Sequence, residues 1–152
     1  LMPNHVHLLL RQLKDDGISA FMRKFGAGYV AYFNKKHKRV GHLFQGRFKA
    51  VSVNSIQQLK NTFVYIHANP MELIGAGWKE RGIKEPSKAI KFLEDYKWSS
   101  YSDYVENKNF PSLTKRDVIL DELGGKENCK NFLEEWIKYK GEIAVPEGSV
   151  LE

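Results

Sequence analysis

Hydrophobic and polar positions alternate first over His5-Val6-His7-Leu8, inside the stretch Pro3-Asn4-His5-Val6-His7-Leu8-Leu9-Leu10. In an extended strand, successive side chains point to opposite faces. The pattern predicts a strand with His5 and His7 on one face and Val6 and Leu8 on the other. After a polar, turn-like segment from Arg11 to Gly17, the period changes. Ile18, Phe21, Met22, Phe25, Tyr29, Tyr32 and Phe33 recur at three- and four-residue steps, predicting a helix from Ile18 to Lys38 whose aromatic stripe is core. Gly26 and Gly28 weaken the middle of that helix and suggest close packing on a sheet.

Gly41 to Gly46 reads as a loop, and Arg47 to Val53 as a second strand with Arg47, Lys49, Val51 and Val53 on one side. Ser55 is placed to cap a helix from Ile56 to Asn69, with Gln58 three residues on as in a capping box. Ile56, Leu59, Phe63 and Ile66 form its expected buried stripe. Pro70 stops it and biases Asn69 away from helical geometry. Met71 to Ser87 reads as an irregular connection with one short turn and Ala89 to Glu94 as a brief helix. Tyr96 to Tyr101 is the capped start of another helix, packed through Trp98 and Tyr101. Thr114 to Leu123 is a capped helix ended by Gly124-Gly125. Lys126 to Lys140 is the last, with Phe132, Leu133, Trp136, Ile137 and Tyr139 as its apolar set and a frayed tail from Gly141.

Composition narrows the class. The chain has 152 residues, 42% hydrophobic and 28% charged, which suits one soluble globular domain rather than a disordered segment. The apolar run Leu8 to Leu10 is too short to span a bilayer, and nothing resembles a secretory signal. Cys129 is the only cysteine, so no intramolecular disulfide can form, as expected in a reducing cytoplasm.

Charge changes the picture more. Residues 1–60 carry 11 Lys/Arg and 2 Asp/Glu, net +9, whereas residues 61–152 are net −3. A basic first half suggests a polyanionic partner; a merely solvated surface explains it equally well. Lys35, Lys36, Arg39, Arg47 and Lys49 are the candidates for phosphate contact. The basic cluster at the end of the first helix is also what a helix C-terminus favours electrostatically.

The candidate chemistry lies at two places. His5 and His7 would stand roughly 7 Å apart on one strand face, from which both imidazoles can reach one metal ion. Two polar positions on a wet strand face are the plainer explanation. On the Ile56 to Asn69 helix, Tyr65 and Asn69 are one turn apart and share a face, which Asn61 extends. Tyr65 alone is a boundary tyrosine; beside two histidines and a basic half-chain it is a candidate nucleophile.

Four blocks carry a resemblance. Met2-Pro3-Asn4-His5-Val6-His7-Leu8-Leu9, Gly46-Arg47-Phe48-Lys49, Tyr65-Ile66-His67-Ala68-Asn69-Pro70 and Trp98-Ser99-Ser100-Tyr101 occur in the order seen in the HUH single-tyrosine transposases. The chain resembles most the REP-associated tyrosine transposase branch. The resemblance spans residues 1–104 as one transposase-like domain, leaving residues 105–152 as a helical C-terminal extension. It implies an α+β fold, a ferredoxin-like α/β sandwich with an antiparallel sheet, binding single-stranded or hairpin DNA. It also implies that His5, His7 and Asn69 hold a divalent metal, Mg²⁺ or Mn²⁺, and that Tyr65 attacks the DNA to form a 5′-phosphotyrosine.

The family's first strand and helix, which precede the His-x-His strand, have no counterpart before Leu1. A sheet edge left open there is expected to be covered by a second copy, through strand pairing or exchanged elements. Three readings follow: an active nicking and joining enzyme, a DNA-binding relative that does not cut, and a metal-free domain in which the histidines are incidental.

Overall fold

The computed structural model describes residues 1–75, 77–78, 82–105 and 107–142. The tail expected to fray from Gly141 is still helical at Gly141 and Glu142, and residues 143–152 lie outside the described residues. The elements are α1 (Gly17–Lys36), α2 (Ile56–Ala68), a 3₁₀ turn (Asn69–Leu73), α3 (Pro86–Asp95), α4 (Tyr101–Tyr104), α5 (Asp117–Leu123) and α6 (Lys126–Glu142).

Among the described residues there is no strand, so the ferredoxin-like sandwich and its antiparallel sheet are not formed. A half-buried strand must hide one face, which offsets the entropy of ordering it. The segment around His5 does not: Leu8, Leu9 and Leu10 are consecutive, and all three are exposed. The second expected strand fails alike, because Phe48 and Val51 belong to opposite predicted faces and both are exposed. With no sheet edge, the basis for a strand-paired dimer is gone.

The chain divides into two compact units, Leu1–Leu8 with Val53–Glu152, and Leu9–Ser52. The first holds all the buried hydrophobic residues, with Phe63, Met71, Leu93, Tyr101, Leu133 and Ile137 among them. Helix α6 is its spine, in contact with α2, α3, α4 and α5. Leu133 and Ile137 provide its buried edge, Trp136 meets Trp78 edge-to-face at 5.4 Å, and Tyr139, expected in the apolar set, is exposed.

Local chemistry explains the element ends. Ser55 accepts the Gln58 backbone N–H at 3.2 Å and so caps α2. Gln58 in return accepts from the Asn54 N–H at 2.7 Å, one residue before the cap rather than at it. Helix α5 begins at Asp117, not Thr114, because the Thr114 hydroxyl is taken by the Arg116 guanidinium at 3.1 Å. Gly124, at φ 81°, closes α5 in the left-handed conformation that glycine adopts without a Cβ penalty. Trp98, expected to pack with Tyr101, is exposed, while Tyr101 is fully buried at the start of α4.

The second unit contains α1, and no residue of α1 is buried. Its aromatic stripe makes contacts along its own helix: Phe21 stacks on Phe25 at 5.9 Å and Tyr29 lies 6.1 Å from Phe33. A Cβ added at Gly26 or Gly28 would meet nothing within 4 Å, so neither glycine serves a close packing contact.

Candidate active site

Helix α2 supplies half of the site. Its buried face is Phe63, Val64, His67 and Ala68, turned from the predicted stripe; Ile56 is exposed. That rotation leaves Tyr65 half-buried at the boundary. Asn69 keeps helical geometry, at φ −55° and ψ −36°, and its N–H bonds the Tyr65 carbonyl. Pro70 does not push Asn69 out of the helix, contrary to the sequence expectation. The chain tightens into the 3₁₀ turn instead, where Pro70 occupies an early position that needs no N–H. Tyr65 and Asn69 therefore stand one turn apart on one face.

The N-terminal segment supplies the other half through a turn, closed by the Met2 N–H to His5 carbonyl bond at 2.9 Å. His5 and His7 are not on a strand, yet their rings lie 4.8 Å apart edge-to-face. The His7 ring lies 5.3 Å from the Tyr65 ring, and Asn69 Nδ2 is 2.9 Å from His5 Nε2. His5, His7, Tyr65 and Asn69 thus line a single cavity of about 340 Å³.

The hydrogen bonds assign a tautomer to His5. Its Nδ1 lies 2.7 Å from Asn4 Oδ1, which can only accept, so Nδ1 carries the proton. Nε2 then presents a lone pair to the Asn69 amide. Rotating that amide brings Oδ1 to the place of Nδ2, so the pair offers an imidazole nitrogen and an amide oxygen to one ion. Among the described residues no group of three or more His, Cys, Asp or Glu side chains is placed to hold a metal. The available donor set is two imidazoles and an amide, which suits a loosely held ion with open positions better than a closed structural site.

His67 is excluded from acid–base work with Tyr65. It is buried in the core, its Nδ1 donating to the Phe63 carbonyl at 2.8 Å and its Nε2 3.0 Å from Ser100 Oγ. Burial pushes it down to about 4. Because its folded pKa lies below the unfolded value near 6.5, its contribution is complete above pH 6.5 and lost as the pH falls toward 4. Stability should drop by up to about 1.4 kcal/mol per pH unit across that window. Urea unfolding of wild type beside His67→Gln checks this: the variant should show a shallower decline.

Lys35, Lys36, Arg39, Arg47 and Lys49 all lie in the second unit and are exposed. Lys36 Nζ sits 5.6 Å from the Tyr32 ring centre, and Arg39 donates to the His42 carbonyl at 3.1 Å. The site also contains a residue that sequence reasoning missed, Glu72, which lines the same cavity. Its signal was the residue step: side chains three apart eclipse in a 3₁₀ helix, so Glu72 falls over Asn69. Met71 to Ser87 reads in sequence as an irregular connection with one short turn, and that reading gives Glu72 no face.

Comparison with known families bears on this geometry. Residues 1–69 match the family model described as Transposase IS200 like. The matched span, less than half of the 152 residues, ends on Asn69 and includes His5, His7 and Tyr65. No curated protein and no solved structure matches the chain. No helix among the described residues is long and apolar enough to cross a membrane.

Proposed function

We propose that the chain is a single-tyrosine transposase of the HUH type, in the REP-associated branch, that cuts and rejoins single-stranded or hairpin DNA. The observation that carries this reading is the convergence of His5, His7, Tyr65 and Asn69 on one cavity from two distant stretches of chain. The IS200-like match over the same residues supports it.

His5 Nε2, His7 and the Asn69 amide oxygen would hold a divalent ion, Mg²⁺ or Mn²⁺. When bound, that ion supplies positive charge to a non-bridging phosphate oxygen. The remaining work belongs to the chain. Helix α2 holds the Tyr65 phenol for in-line attack on phosphorus. The new bond joins the phenol oxygen to the 5′-phosphate as the bond to the 3′-oxygen breaks. The phenol proton passes to solvent and the leaving 3′-oxygen takes one up. Because the phosphotyrosine keeps the phosphodiester's bond energy, a 3′-hydroxyl can reverse the attack without ATP.

The exposed cations of the second unit suit backbone phosphates, and residues 9–52 carry 10 Lys/Arg against 2 Asp/Glu, net +8. Affinity for single-stranded DNA should fall with salt at a log–log slope of about −0.7 per phosphate neutralised. Alanine at Lys35, Lys36, Arg39, Arg47 and Lys49 together should flatten that slope, as read by fluorescence anisotropy at several salt concentrations. The function itself is tested by incubating the protein with labelled hairpin DNA and Mg²⁺ or Mn²⁺, then denaturing it. A covalent adduct is expected. Binding without an adduct would favour the non-cutting DNA-binding relative.

A further inference from the structure

Among the described residues, Glu72 contributes the one carboxylate in the wall of the cavity that His5, His7, Tyr65 and Asn69 share. The other four offer neutral imidazole, phenol and amide donors. A bare cavity of this kind is poorly suited to a phosphodiester, because Glu72 repels the negative charge that must enter. It is better suited to a cation. Mg²⁺ and Mn²⁺ prefer hard oxygen donors, and neutral donors offset none of their charge. Mg²⁺ also gives up its hydration shell reluctantly, so a carboxylate commonly acts on it through one of its waters.

We propose that Glu72 completes the cation site from the outer shell, accepting a hydrogen bond from a water of the ion's hydration sphere. Its carboxylate then makes cation binding precede phosphate entry. The inference rests on the metal-assisted reading above. Its structural support is threefold. The 3₁₀ turn eclipses Glu72 over Asn69. The carboxylate accepts a long bond from the Gly77 N–H, 3.4 Å to Oε1, which a stronger donor can replace. Among the described residues no three His, Cys, Asp or Glu side chains are grouped to hold a metal, so His5, His7 and Glu72 do not form a direct chelating trio. Such a partner orients and anchors an ion without touching the reacting atoms, so Glu72 is a positioning residue.

The test is a Mn²⁺ titration of the full chain without DNA, followed by electron paramagnetic resonance of the free ion. Wild type should bind one Mn²⁺. Glu72→Gln, isosteric and exposed, should weaken that binding at least 10-fold, and Glu72→Asp should restore much of it. In the absence of metal, Glu72→Gln should bind single-stranded DNA more tightly than wild type, because the repelling charge is gone. A merely structural role would not give that opposite sign. Mn²⁺ binding that is lost in His5→Ala but unchanged in Glu72→Gln overturns the role of Glu72 and leaves the metal-assisted reading standing. No Mn²⁺ binding by wild type overturns both.

Discussion

Tyr65→Phe is expected to lower covalent DNA capture by at least ~10⁴-fold, the order of loss seen when a catalytic nucleophile is removed. The substitution deletes one oxygen and keeps the ring that meets His7 edge-to-face at 5.3 Å, so α2 and the cavity should be unchanged. DNA affinity should also hold, since the proposed phosphate contacts are made by cations elsewhere in the chain. The other tyrosines are poor substitutes. Tyr101 is fully buried, and burial first, then the nearby Glu94 and Glu134, pushes its phenol upward. Tyr104 is buried too, and desolvation pushes it up to about 12. Tyr96 is committed to the Leu1 carbonyl at 2.7 Å, and Tyr29 and Tyr32 belong to the aromatic face of α1. None of them has an amide side chain one helical turn away and two imidazoles in front. The measurement is denaturing electrophoresis of labelled hairpin DNA after incubation with Mg²⁺ or Mn²⁺. Adducts persisting in Tyr65→Phe would move the nucleophile elsewhere.

How far the site could be read from the chain differs from how far the fold could. Four side chains that line the cavity, His5, His7, Tyr65 and Asn69, are legible because their signals are local: a His-x-His pair, and a tyrosine and an amide one helical turn apart. Those relations survive even though His5 and His7 sit on a turn rather than a strand, since two residues of separation keep the rings close in either conformation. The sheet was not legible. Alternation over His5 to Leu8 indicates a possible strand, but a strand exists only where a neighbour takes its backbone bonds and one face is buried. Leu8, Leu9 and Leu10 are exposed and no neighbouring strand is present among the described residues, so neither condition is met. Glu72 was missed for the opposite reason, since its place depends on Pro70 tightening the chain into a 3₁₀ turn that no periodicity announced. His67, two residues from Tyr65, reads in sequence as structural or surface; it is structural, buried in the core because two hydrogen bonds satisfy its ring nitrogens within the protein.

Phe63→Ala should cost about 3–5 kcal/mol, the usual range for deleting a buried phenylalanine. Against a total of about 5–15 kcal/mol for a typical domain, that is a large share. Phe63 is 1% exposed; its ring lies 4.3 Å from His67 and meets Tyr104 edge-to-face at 5.1 Å. The cavity left behind would sit under the turn of α2 that carries Tyr65, so adduct yield should fall along with stability. Tyr32→Ala makes the contrast. It belongs to an aromatic stripe with the same helical period, yet Tyr32 is 60% exposed, and its removal should cost no more than about 0.5 kcal/mol. Periodicity alone ranks these two rings alike; burial separates them. Urea unfolding at neutral pH reads both variants, with Phe63→Ala shifting the midpoint strongly and Tyr32→Ala scarcely. Equal shifts would mean that the aromatic face of α1 is covered in solution.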